Sequence, residues 1–246
     1  MKQLLALLFA LSLSLGAAYD LGGRVLVVGT DATYPPFQSV DETGAIVGFD
    51  IDLVNAVCER INCVAQFKNT LWDGIFAALE AGDFDMVASG VSITEARQQV
   101  FDFSDPYHIV TQAIAVRVED EGLTLEDFKI GYFLLGSQTG TTNAQLAEEL
   151  FGRDRVRLYD TFGAAMLALV NGDVDGVVID NTAAEAFVQQ YAGQVAITVT
   201  GVFGDDPLGF VFRQGDELVD AINAGLAMVK ADGTLATLVG KWFAAE

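Results

Sequence analysis

The chain has 246 residues, and its 34 acidic against 13 basic side chains leave a formal net charge of -21. A nucleic-acid ligand is disfavoured, because phosphate binding needs a basic stripe and none is present. The acidic excess serves solubility and can attract cations, and the length suits one large domain or two modest ones.

The first residues read as a secretory signal. Lys2 supplies a positive start, Leu4 to Leu15 is an apolar run, and Gly16-Ala17-Ala18 offers small residues for cleavage after Ala18. The run is short of the about 20 apolar residues that a spanning helix needs. No cysteine follows it that could carry a lipid, so the mature protein is expected to be exported and soluble.

Beyond residue 18 the pattern alternates strand and helix. Val25 to Gly29 reads as a buried strand, Leu53 to Arg60 as a helix with Leu53, Val54 and Val57 on one side, and Val64 to Phe67 as a short strand. Asp73 to Ala81 reads as a helix stopped by Gly82, and Met86 to Ser89 as the next strand. This spacing predicts an α/β fold with mostly parallel sheets. Cys58 and Cys63 lie close together in an exported chain, which suggests one disulfide between a helix end and the next strand; two buried thiols are the alternative. No metal site is expected, since His108 is the only histidine and no other soft ligands lie near it.

Residues 78–87, ALEAGDFDMV, resemble residues 168–177, ALVNGDVDGV. Each reads as a helix, a glycine stop, an acidic turn and a buried strand, the first running into Ser89-Gly90 and the second into Asp180-Asn181. Ligands of open α/β sheets gather beyond the carboxyl ends of strands, so two similar lobes facing each other is one reading. The other is that helix–glycine–strand units are simply common in this fold class.

Four stretches carry a family resemblance over nearly the whole mature chain: Gly29 to Phe37 (GTDATYPPF), Gly48 to Leu53 (GFDIDL), Ser89 to Arg97 with Phe103-Ser104-Asp105-Pro106-Tyr107, and Ala231-Asp232-Gly233-Thr234 with Lys241-Trp242-Phe243. In this order, behind a signal segment, they resemble the periplasmic polar-amino-acid-binding proteins of ABC importers, the solute-binding protein family 3 type. The resemblance implies the type II periplasmic binding protein fold, in which two Rossmann-like α/β lobes are joined by a two-strand hinge. It places lobe 1 at 19–110 plus 203–246, lobe 2 at 111–202, and the crossings near Ile109 to Thr111 and Thr200 to Asp206. It further implies a monomer without cofactor that closes on a free amino acid and presents it to the importer's membrane subunits.

The same resemblance assigns site residues. Arg97 would take the ligand carboxylate, a task that suits a planar bidentate cation, although Glu95 offers it a local ion pair instead. Ser92 would add its N–H to the carboxylate and its hydroxyl to the ammonium. Gly140-Thr141-Thr142 matches a loop whose Thr142 N–H meets the carboxylate, while Thr141 or Thr142 equally suits a helix cap. Asp180 matches the ammonium-binding aspartate, with a helix-cap role as the alternative, and the carbonyl of Gly90, next to Ser89, would be a further acceptor. Tyr34 and Trp72 match aromatics that sandwich the ligand side chain, or else belong to the core. Asp31 matches a pocket acid, and Gln138 ends a strand, Ile130 to Gln138, about two residues longer than the family pattern. An acid between aromatic faces favours arginine, lysine or ornithine, with glutamine and histidine also compatible.

Two rivals come from other classes. A lyase resembling cyclohexadienyl dehydratase could occupy the same scaffold, with His108 as its candidate acid–base group. A sensor component would carry a membrane helix and further domains, which this sequence does not suggest.

Overall fold

The computed structural model describes residues 19–243, so the signal segment read at 1–18 lies outside the described residues. The first strand, β1 (Arg24–Thr30), buries Leu26 and Val28 but leaves Val25 half exposed, so an apolar run expected to be wholly buried has two unequal faces. A small antiparallel sheet follows, made of β2 (Thr33–Tyr34), β3 (Gln38–Val40) and β4 (Ile46–Val47). Helix α1 (Phe49–Ile61) starts earlier than its apolar spacing indicates and ends on Asn62 in the left-handed conformation. Its Cys58 is thereby brought to Cys63, the first residue of β5 (Cys63–Asn69), and the two form a disulfide with Cα atoms 4.5 Å apart.

Helix α2 (Trp72–Ala81) leads to β6 (Met86–Val87), the short helix α3 (Glu95–Gln98) and β7 (Phe101–Phe103). The long strand β8 (His108–Arg117) then carries the chain into a second unit. That unit contains α4 (Leu125–Ile130), β9 (Leu135–Gln138), α5 (Thr142–Phe151), β10 (Val156–Tyr159), α6 (Phe162–Asn171), β11 (Gly176–Asp180), α7 (Asn181–Gln190) and β12 (Val195–Val199). The chain returns through β13 (Asp205–Leu208) and β14 (Val211–Arg213) to α8 (Leu218–Ala231) and α9 (Thr234–Phe243).

These strands form a five-stranded sheet in the order β5-β1-β6-β14-β7 and a six-stranded sheet in which β10-β9-β11-β8-β12 is extended by β13 pairing with β8. The fold is the α/β periplasmic-binding-protein type, but its sheets are mixed. Pairs β1–β5, β1–β6, β9–β10 and β9–β11 are parallel, whereas every pairing of β8 and β14 is antiparallel. The reason is topological: β8 and the returning strands run between the two units rather than through a helical crossover. Strands β8 and β13 pair from His108–Leu208 to Thr111–Asp205. The return strand therefore starts later than Thr200, because residues 200–204 bend, with Gly201 at φ 69, before the chain extends. Ile130 to Gln138 is likewise not one strand. Ile130 closes α4, only Leu135 to Gln138 pairs, and residues 131–134 form the connection between them.

The internal echo is structural. Gly82 and Gly172 both end their helices in the left-handed region, with φ 84 and 81, and donate to the carbonyls of residues 78 and 79 or 168 and 169. Asp85 and Asp175 each accept from a backbone N–H, that of Val27 in β1 or of Leu134 just before β9. An arginine then buttresses each turn. Arg213 Nη1 donates to the carbonyls of Leu79 and Phe84 at 3.1 and 2.6 Å, and Arg117 Nη1 to those of Leu169 and Val174 at 3.2 and 2.8 Å. Arg213 pairs with Asp216, and Arg117 with Asp120. Two carbonyls lose a charged donor when either arginine is removed, so Arg117→Ala and Arg213→Ala are each expected to cost about 2 kcal/mol in urea unfolding.

Candidate functional site

Asp31 follows β1, Ser89 and Gly90 follow β6, Gln138 closes β9, and Asp180 closes β11. The carboxyl ends of these parallel strands thus meet, as open α/β sheets dictate. All five residues line one cavity together with Tyr34, Trp72, Ser92, Arg97, Thr141 and Thr142. The structure therefore brings together every ligand-binding residue that the family resemblance assigns and adds Asn143 and Phe162.

At one side stands Arg97, in the short helix capped by Thr94. Its Nη1 donates to the Ser92 carbonyl at 2.9 Å, and its guanidinium lies 5.4 Å from both the Trp72 and Phe76 ring centroids. Glu95 is not its partner, and among the described residues no carboxylate forms an ion pair with it. Desolvation lowers its pKa to about 10, opposed by the charges of Asp180 and Asp206, so it stays cationic at neutral pH. Across the cavity, Thr141 caps α5 by accepting from the Ala144 N–H at 3.1 Å. That leaves Thr142 as the first helical residue, where the helix presents an unpaired N–H. Its hydroxyl lies 3.3 Å from that of Ser92.

Asp180 occupies the cap position of α7 but makes no side-chain cap bond. Its carboxylate instead accepts from the Tyr34 hydroxyl and, at 2.7 Å, from Asn143 Nδ2. Burial pushes its pKa up to about 6; the bonds from Tyr34 and Asn143 and the charge of Arg97 act downward, and Asp206 acts upward. Gly90 has φ 57, and a Cβ there would come within 2.9 Å of the Tyr34 ring, so the residue must be glycine. Its N–H is held at 2.8 Å by Asp50, a fully buried carboxyl pushed up to about 7 by desolvation against the pull of that same bond.

Asp31 accepts from the Thr33 hydroxyl at 2.7 Å, and from the Trp72 N–H and Gln138 Nε2 at 3.1 Å each. Its own N–H donates to Ser89 Oγ at 3.0 Å. Gln138 Nε2 also donates to the Asp160 carbonyl, which leaves its Oε1 as the amide's remaining group. Tyr34 stacks on Phe37 at 5.4 Å and faces Phe162 at 5.4 Å, while Trp72 lies under Arg97.

The two residues missed differ in how they could have been found. Asn143 directly follows the Gly-Thr-Thr loop in the first turn of a helix, where a poor helix former signals side-chain work. Phe162 carries no local signal, because only the tertiary fold sets it against Tyr34. His108, the candidate acid–base group of the lyase reading, does not line the cavity; it packs against Phe37, Phe49 and Phe243 at 5.8, 5.7 and 4.5 Å, and burial lowers its pKa.

The model of the bacterial extracellular solute-binding proteins, family 3, matches residues 26–245. The chain belongs to this family. It is 34% identical to a probable histidine-binding protein of Neisseria gonorrhoeae, over 91% of this chain and 85% of that one. Among solved structures it resembles an ancestral arginine-binding protein bound to arginine, with a TM-score of 0.83 and 40% identity over 89% and 98% of the two chains. It equally resembles an ancestral amino acid-binding protein described as a precursor of cyclohexadienyl dehydratase, with a TM-score of 0.83 and 38% identity over 89% and 96%. This family 3 member thus has relatives named as binding proteins, with one neighbour linked to an enzyme.

Proposed function

We propose that this chain captures a free amino acid, with a basic side chain preferred, and delivers it to the membrane subunits of an ABC importer. One observation carries the reading: Arg97 faces the cavity without a carboxylate partner while Asp180 and Asp31 face the same cavity. One cation and two anions sum to -1. A ligand's α-carboxylate and α-ammonium cancel each other, so a cationic side chain brings the filled site to neutrality, and a neutral side chain leaves one buried charge unbalanced.

In this reading Arg97, the Ser92 N–H and the Thr142 N–H hold the carboxylate, while Asp180, the Ser92 hydroxyl and the Gly90 carbonyl hold the ammonium. Tyr34, Trp72 and Phe162 enclose the side chain, and Asp31 and Gln138 accept from its end. The lobes, 19–110 with 203–246 and 111–202, hinge at β8 and β13, because a ligand that contacts both halves favours the closed state. The importer recognises that closed monomer outside the cytoplasmic membrane, after cleavage near Ala18.

Thermal unfolding of the mature protein against the twenty amino acids, ornithine, citrulline and cystine tests this. A ligand at a hundredfold its Kd stabilises by about 2.7 kcal/mol, so arginine, lysine or ornithine is expected to give the largest rise in midpoint. A rise with histidine or glutamine alone keeps the receptor and overturns the basic preference. Likeness to a dehydratase precursor favours one control, and incubation with prephenate or arogenate is expected to yield no turnover.

A further inference from the structure

From the cavity wall a row of polar groups joins Asp180 and Asn143 to the strand that returns between the two units. Asn143 Nδ2 donates to Asp180 Oδ1 at 2.7 Å and to Gln112 Oε1 at 3.2 Å, and Gln112 Nε2 donates to Asp206 Oδ2 at 3.1 Å. Gln112 lies opposite Asp180 in the β8–β11 ladder, one residue beyond the stretch of β8 that pairs with β13, and Asp206 lies on β13 opposite Val110. Asp180, Asn143 and Gln112 are all buried, at 3, 2 and 6% exposure. Apolar side chains would fill this space at lower desolvation cost, so the two amides call for an explanation. Their order is forced. Both ends of the row are carboxylates, which only accept, so Asn143 must turn its NH₂ to Asp180 and Gln112 must turn its NH₂ to Asp206.

We propose that Gln112 and Asn143 are positioning residues that keep Asp180 ionised and aimed at the ligand's ammonium, and that tie this carboxylate to the returning hinge strand. The inference rests on the ammonium-binding role given to Asp180 above. Asn143 supplies the carboxylate with a donor from its own unit, independent of Tyr34, which comes from the other. Gln112 fixes the Asn143 amide by occupying its second hydrogen and is itself held by Asp206. Ligand capture at Asp180 and the geometry of β13 therefore share one chain of hydrogen bonds.

The charged and titratable groups that face Asp180 are the Tyr34 hydroxyl from β2, Arg97 from α3 and Asp206 from β13. Ammonium binding needs the ionised carboxylate, so affinity falls as pH drops through the range near 6 in which Asp180 takes up a proton. Loss of the Asn143 bond, directly or by freeing its amide, moves that fall to higher pH.

The test is calorimetric titration with L-arginine between pH 5 and 8.5, with L-histidine and L-glutamine run in parallel, on the wild type and the Q112L, N143L and D180N variants. Q112L and N143L are expected to weaken binding about tenfold at pH 7.5. The factor should be the same for every ligand bound, because all carry the α-ammonium, and the acid limb should begin at higher pH than in the wild type. Unchanged affinity, or a uniform loss without movement of the acid limb, overturns the positioning role. If Q112L proves unstable, N143L alone carries the comparison, and the reverse. Wild-type affinity in D180N overturns instead the role of Asp180, whatever the other variants do.

Discussion

Arg97→Ala is expected to weaken arginine binding about a thousandfold while the ligand-free protein keeps its fold. A buried, hydrogen-bonded charge pair costs about 2–5 kcal/mol or more when one partner is truncated, and in this site the loss strands the ligand's carboxylate. The protein itself loses little. Arg97 makes one side-chain hydrogen bond, to the Ser92 carbonyl, and its remaining contacts are the faces of Trp72 and Phe76. Arg97→Lys separates charge from geometry: the ammonium keeps the charge but not the planar fork, and the expected loss is about a hundredfold. Titration calorimetry with L-arginine checks both, with the thermal midpoint of the ligand-free variants as the folding control. An Arg97→Ala variant that binds within tenfold of the wild type removes Arg97 from the carboxylate site.

The prominence of Arg97 in the sequence came from its motif rather than from its chemistry. Taken alone, an arginine two residues from Glu95 reads as a surface ion pair, and only the fold shows that the pair does not form and that the guanidinium turns to Trp72 instead. Asp180 illustrates the same limit. Its position is that of a helix cap, which the sequence can indicate, but its carboxylate bonds to Tyr34 and Asn143, which no local pattern encodes. Elements with strong local signals were legible: the glycine-stopped helices of the internal echo, the apolar strands, and the Cys58–Cys63 turn. The mixed pairing of the sheets was not, because strand direction in β8 and β14 follows from the path of the chain between units. Phe162 and Gln112 were invisible for a related reason. One is a phenylalanine at a helix start and the other a glutamine in a strand, and their partners lie far away in sequence.

Asp31→Asn is expected to change which amino acid is bound more than whether one is bound. The carboxylate already accepts from the Thr33 hydroxyl, the Trp72 N–H and the Gln138 amide, which takes three of its roughly four acceptor sites and leaves one for the ligand. With asparagine the charge disappears, and the new NH₂ must face at least one of these donors. A cationic side chain then loses both its counter-ion and an acceptor, an expected loss of about a hundredfold for arginine. Glutamine loses only a hydrogen-bond partner, so its affinity should fall about tenfold or less, and the arginine-to-glutamine ratio should shrink about tenfold. Paired titrations of both ligands against the wild type and Asp31→Asn give this ratio directly. An equal fall for the two would mean that Asp31 shapes the pocket wall through Trp72 and Gln138 without selecting charge, and the preference for a basic ligand would then have to come from Asp206 and the acidic field of the whole chain.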